Sequence, residues 1–130
     1  MVFSSSNQSA IEVHAEKAGY LREIQAYSRL AQHDVREVRG ITVPTLRAFD
    51  ENLQIIEMSL VTPPFIVDFG GAYLDEPPPH AKEPDALARW IEERRERFED
   101  QFMAINGIIA ELESRYGIYL TDVHSGNIRL

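Results

Sequence analysis

The stretch TDVHSGNIRL, residues 121–130, crowds a carboxylate (Asp122), an imidazole (His124), a hydroxyl (Ser125) and a carboxamide (Asn127) around Gly126. Groups of these types accept hydrogen bonds from hydroxyls, move protons and ligate hard cations. Gly126 and Ser125 let the backbone curl so that Asp122 and Asn127 point the same way. The same residues also make an ordinary turn between two short strands, since Asp, Ser, Gly and Asn are the usual turn formers. What holds the loop decides between these two readings.

The element leading into it is the longest in the chain. ALARWIEERRERFEDQFMAINGIIAELESRYG, residues 86–117, predicts one long helix, started by Pro84 and Asp85 and ended by Gly117 in a left-handed cap. Phe98, Phe102, Ile105, Ile109, Leu112 and Tyr116 alternate spacings of four and three, which makes one apolar stripe and the main core seam. IYL and IRL read as short strands on either side of the loop. Upstream, a first helix is expected from Ser9, with Ser9 as its cap and Val13, Tyr20, Ile24, Tyr27 and Leu30 or Ala31 at helical spacing. ITVPTLRAF and LQIIEMSLV predict a hairpin around DEN. In its second strand Leu53, Ile55 and Glu57 share one face and Ile56, Met58 and Leu60 the other, so that strand is expected to pack on two sides. VTPPFIVDFGGAYLDEPPPH is a connector rich in proline and glycine. Residues 1–8 are polar and serine-rich, expected as a flexible arm. The fold class is α+β.

With 21 acidic and 13 basic side chains among 130 residues, the formal net charge is -8. That sign repels phosphate backbones and anionic lipid, so neither nucleic acid nor a membrane is an expected partner. Without cysteine there are no disulfides or thiolate ligands. MVFSSSNQSAIEV has no basic region followed by an apolar run, so no signal peptide is read, and a cytoplasmic location is expected.

Helix, hairpin, Pro/Gly connector, long helix, strand, polar loop and strand follow in that order, with Asp122 and Asn127 five positions apart in DVHSGNI. This resembles the middle of the protein-kinase-like superfamily, in the style of the aminoglycoside and other small-molecule phosphotransferases. The resemblance implies a partial kinase-like fold in a single domain over residues 9–130. Residues 9–61 form its small-lobe-like part, 62–83 the hinge and 84–130 the large-lobe-like part. It makes Asp122 the base that orients a substrate hydroxyl and Asn127 a magnesium ligand, with His124, Ser125 and Gly126 completing the loop. Glu23, in REIQAYSRL, falls on the glutamate of the first helix that pairs with a strand lysine, and IIEMSLV resembles the strand entering the interlobe hinge.

Departures from the family pattern are substantial. Eleven residues before the first helix do not supply the three strands that carry a glycine-rich loop. Lys17 and Lys82 are the chain's two lysines, and neither has a strand context. Leu120 stands where the family has histidine, and the sequence ends three residues after Asn127, before a metal-binding Asp-Phe-Gly. The expectation is therefore a catalytically inactive kinase-like domain serving as an interaction or regulatory module, with no cofactor firmly implied. The alternative is the central portion of an active phosphotransferase, using ATP and magnesium to phosphorylate a hydroxyl, with missing parts supplied elsewhere. Asp68-Phe69-Gly70 spells the metal motif but precedes the loop. It reads as a turn at Gly70-Gly71 with a buried Phe69, and only a circularly rearranged kinase would restore its metal role.

Among other candidates, His14, His33, His80 and His124 are scattered without metal-ligand spacing. Glu93 with Arg97 and Glu92 with Arg95 read as a solvated helix face. Trp90 is a second packing contact or an interface anchor, and Pro77-Pro78-Pro79 a stiff linker in preference to a ligand for a proline-recognition module. A helix left bare on one side at Trp90, Tyr116 and Ile118, with NIRL as an unpaired edge, predicts a protein partner or a homodimer.

Overall fold

The computed structural model describes residues 2–4, 9–66, 69, 71–121, 123 and 128–130. Strand β1 is Val2–Ser4, β2 Ser9–Val13, and helix α1 Lys17–Gln32. Short strands β3 (Glu37–Val38) and β4 (Ile41–Thr42) precede the hairpin of β5 (Leu46–Asp50) and β6 (Ile55–Ser59). Strands β7 (Phe65–Ile66) and β8 (Tyr73–Leu74) lie in the connector. Helices α2 (Pro84–Phe98) and α3 (Phe102–Tyr116) follow, then strands β9 (Ile118–Tyr119) and β10 (Ile128–Arg129). One sheet has the order β1-β2-β6-β5, a second β10-β7-β4-β3, and β8 pairs with β9 alone. The α+β class holds, and no described helix is long and apolar enough to cross a membrane.

Two expectations about helices are corrected. Residues 9–13 are strand, not helix: Ser9 pairs with Ser59 and Val13 with Ile55 in antiparallel register. Ser9 caps nothing; its hydroxyl is buried and accepts a hydrogen bond from Arg47 at 2.6 Å. The alternation of Ala10 and Glu12 with Ile11 and Val13 suits a pleated strand, and pairing on both sides outweighs the weak helical spacing. Val2–Ser4, within the expected arm, is the outer partner of that strand.

The long helix is two helices. A 3-10 turn at Glu99–Gln101 separates them, and Glu99 adopts φ 50, a left-handed backbone conformation. The apolar seam explains where continuity is lost. Phe102, Ile105, Ile108, Ile109 and Leu112 anchor α3 in the core, whereas α2 buries only Arg94 and Phe98. A helix so poor in apolar contacts has nothing to hold it collinear with its successor, because packing supplies most helical stability. The predicted start at Pro84 and the left-handed cap at Gly117 (φ 64) are both present.

Helix α1 buries Tyr20, Glu23, Ala26, Tyr27 and Leu30 along one stripe. Its end needs no glycine: Asp34 takes φ 52, its N–H bonds the carbonyl of Ala31, and the Val35 N–H reaches back to Leu30 at 2.9 Å. The hairpin forms from β5 and β6, but Ile41 and Thr42, expected in its first strand, belong to the second sheet as β4, and β6 is packed on one side. Ile56 and Met58 are buried, Ile55 and Glu57 only half-buried, and Leu53 lies exposed in the turn. The connector and helix ends meet at Arg29, which donates to both Asp75 carboxylate oxygens (2.6 and 2.9 Å) and to the Tyr116 carbonyl (3.2 Å). The expected bare side of the last helix is covered there: Ile118 is fully buried and pairs with Leu74. Strand β10 has one edge paired, with β7.

Truncation of Phe102 to Ala should cost about 3–5 kcal/mol in urea unfolding, whereas Met103→Ala, on the exposed side, should stay within about 0.5 kcal/mol. Hydrogen bonds from Arg29 hold the Asp75 carboxyl below the ordinary aspartate range, against the small opposing effect of burial. Its contribution is therefore present above the unfolded-state value and lost as pH falls through the depressed folded-state value. Asp75→Asn should flatten the acid limb of the stability–pH profile without changing its shape above neutrality.

Candidate functional site

Asp122, His124, Ser125, Gly126 and Asn127 lie outside the described residues, as do Asp68 and Gly70. Described residues frame them on both sides. On the incoming side Tyr119 pairs with Tyr73, and Leu120 is buried. Thr121 donates its hydroxyl to the Gly71 carbonyl at 2.8 Å. A Cβ at Gly71 would lie 2.1 Å from that hydroxyl oxygen, so the close approach requires glycine. Val123 is buried, and its carbonyl accepts a 2.9 Å hydrogen bond from Arg97 of α2. On the outgoing side Ile128 is buried opposite Ile66, and Arg129 pairs with Phe65.

That last pairing bears on the Asp-Phe-Gly segment. The strand leading toward residues 67 and 68 and the strand leading away from residue 127 are hydrogen-bonded neighbours. Phe69 is fully buried, its ring edge-on to Tyr27 of α1 at 5.2 Å. The Ala72 N–H bonds the Phe69 carbonyl at 2.9 Å.

Glu23 is the predicted site residue that the structure describes, and it is fully buried on the face of α1 turned toward β2. It meets a histidine: the His14 ring donates from Nε2 to Glu23 Oε2 at 2.5 Å, and Glu12 Oε1 stands 3.5 Å from the same nitrogen. The ligand atoms of Glu12, His14 and Glu23 lie within 4.8 Å of one another. One imidazole and two carboxylates could hold a divalent cation, and no other such group occurs among the described residues. The position of His14 is fixed by its backbone, which exchanges hydrogen bonds with Gln54 through His14 N–H to Gln54 O (2.9 Å) and Gln54 Nε2 to His14 O (2.8 Å). Tyr20 stands edge-on to the imidazole at 6.3 Å, and burial raises its hydroxyl above the usual range, with Glu51 and Asp50 adding to the effect.

Neither Glu12 nor His14 stood out in the sequence. The signal was their i,i+2 spacing, which puts both on one face of a strand, and it was hidden by assigning these residues to a helix. Both lysines lie away from Glu23: Lys17 faces Glu51 at 3.8 Å and Lys82 faces Glu76 at 3.3 Å, in exposed pairs. On α2 the expected pair of Glu92 and Arg95 forms at 3.4 Å. Pro78 is buried, which suits a structural linker better than a presented proline ligand.

Compared with protein-family models, curated proteins and solved structures, the chain matches none. Its function is therefore read from its own residues.

His14→Ala should destabilise the fold by about 1–3 kcal/mol, because it strips a hydrogen bond from a buried carboxylate. Urea unfolding checks this, and a change under about 0.5 kcal/mol would mean that Glu23 does not depend on the imidazole.

Proposed function

We propose that the chain is a kinase-like domain working as an interaction or regulatory module and not as a phosphotransferase by itself. The observation that carries this reading is the Glu23–His14 contact. Glu23, which the kinase resemblance aligns with the glutamate of the first helix, is buried in α1. In place of a lysine it engages His14, whose ring nitrogen is already committed to two carboxylates. Gripping nucleotide phosphates takes a long cationic side chain free to reach them, and the two lysines pair instead with Glu51 and Glu76. Partner binding finds support on the β5–β6 hairpin, where Phe49, Leu53 and Leu60 are exposed. The partner is another protein or a second copy of the chain, the acidic balance of the sequence weighing against nucleic acid.

A second reading is favoured by the pairing of β7 with β10. In the kinase resemblance the metal-binding Asp-Phe-Gly works beside the catalytic loop, whatever the chain order that brings it there. Here the strand entering that tripeptide lies against the strand leaving the loop, and Phe69 is packed under α1. This arrangement supports a rearranged phosphotransferase centre in which Asp122 orients a hydroxyl and Asp68 and Asn127 hold magnesium.

Titration calorimetry with ATP separates the two. The first reading expects no magnesium-dependent heat at micromolar nucleotide. Magnesium-dependent binding that Asp68→Asn and Asn127→Ala each abolish would establish the second and overturn the first. In sedimentation equilibrium, association that Phe49→Ser weakens is the expected mark of the partner surface; a monomer insensitive to that change removes its support.

A further inference from the structure

Between α2 and the segment Thr121–Val123 lies a cavity of about 520 Å³, lined by Arg89, Trp90, Glu93, Arg94, Arg97 and the two loop residues with Ala86. That size falls within the range of small-molecule sites, roughly 300–1,000 Å³. Among the described lining residues three guanidinium groups stand against one carboxylate, in a chain whose net charge is -8.

Arg94 is the unusual member. It is 7 % exposed, although arginine is rarely buried without a full set of partners. Its Nη1 donates to the Asn106 side chain at 3.0 Å, and its guanidinium lies over the Trp90 ring at 4.6 Å. The buried Nε has no hydrogen-bond acceptor among the described residues. A buried cation left in this state costs free energy unless an anion meets it. Glu113 is the carboxylate whose field acts on Arg94, but burial raises the Glu113 carboxyl and so disfavours its charged form. Burial also lowers the Arg94 guanidinium from its ordinary value, more than Glu113 raises it. Arg94 thus keeps an Nε without an acceptor among the described residues, and its side chain stands at the wall of an open cavity.

We propose that this cavity binds a small phosphate ester, with Arg94 as the buried anchor, Arg89 and Arg97 as flanking cations and Trp90 as the apolar wall. Guanidinium forks match phosphate oxygens in pairs, and a phosphate presents more oxygens and more charge to three cations than a carboxylate does. Arg97 already spends one N–H on the Val123 carbonyl, which ties the site to the loop frame and leaves its other donors for the ligand. The site uses none of Glu12, His14 and Glu23 and stands whether or not the chain transfers phosphate.

Trp90 is the chain's single tryptophan, so its fluorescence reports on the cavity directly. Ribose 5-phosphate should shift that emission saturably, with ribose silent and succinate at least about tenfold weaker. Arg89→Ala, at an exposed position, should weaken the ribose 5-phosphate response by at least about threefold without altering the unfolding midpoint. Arg94→Met, which keeps an unbranched apolar side chain but removes the guanidinium fork, should abolish it. The response of the intact protein should also fall as salt rises. An emission unmoved by ribose 5-phosphate at millimolar concentration overturns the proposal. So does a response equal for succinate, one indifferent to Arg89→Ala, or one produced only by vesicles of an anionic phospholipid. Should Arg94→Met fail to fold, Arg89→Ala together with the succinate comparison still decides it.

Discussion

Arg29 is the side chain through which the parts of this fold are joined. It leaves the last turn of α1, forks onto Asp75 just after β8, and reaches the carbonyl of Tyr116 at the end of α3. Helix ends leave carbonyls without intrahelical partners, and a cation there also opposes the negative end of the helix dipole. Gly117 has to be glycine for the same joint to close. A Cβ there would lie 2.7 Å from Asp75 Oδ1, at a backbone φ of 64. From this point β9 departs in register with β8, and the polar loop follows directly. The direction in which the chain enters the loop is thus set by α1, a helix almost a hundred residues earlier in sequence.

The loop is held from three sides by different means. Backbone pairing fixes its two ends in separate sheets, a hydroxyl against a glycine carbonyl fixes Thr121, and Arg97 fixes the Val123 carbonyl from α2. The break at Glu99 matters for the last of these. It frees α2 from the line of α3, so that a helix with little apolar surface can turn its arginines toward residues 121–123. A single straight helix would have served the apolar seam equally well and left Arg94 and Arg97 on another bearing.

Legibility in the sequence followed the strength of local signals. The seam from Phe98 to Leu112, the cap at Gly117, the start at Pro84 and the β5–β6 hairpin each rest on nearest-neighbour chemistry, and the structure has them. The burial of Phe69 followed from its place beside a glycine turn. Strand β2 was missed because its partners, β1 and β6, are recruited by tertiary pairing that a helical spacing of Val13 and Tyr20 can imitate. With it went the imidazole and carboxylate beside Glu23, since i,i+2 neighbours share a face only in a strand. The break at Glu99 carries neither glycine nor proline to announce it. Arg94 was invisible for a different reason. A charge in IEERRERFED reads as solvated, and it is Asn106, Thr121 and Val123, from elsewhere in the chain, that come up beside it. Glu23 was legible as a position but not in its partner.

Helix α1 serves both halves of the candidate site at once. One turn carries Glu23 against His14, and the next carries Tyr27, whose hydroxyl donates to Met58 Sδ at 3.3 Å and whose ring meets Phe69. These contacts are a single helical turn apart on a rigid rod, so they do not adjust independently. A displacement that relaxes the histidine contact must move Tyr27 as well, and with it the wall against which Phe69 rests. Thermodynamics makes the linkage mutual: whatever free energy an event at the imidazole transmits to the aromatic pair, an event at the aromatic pair returns in equal measure.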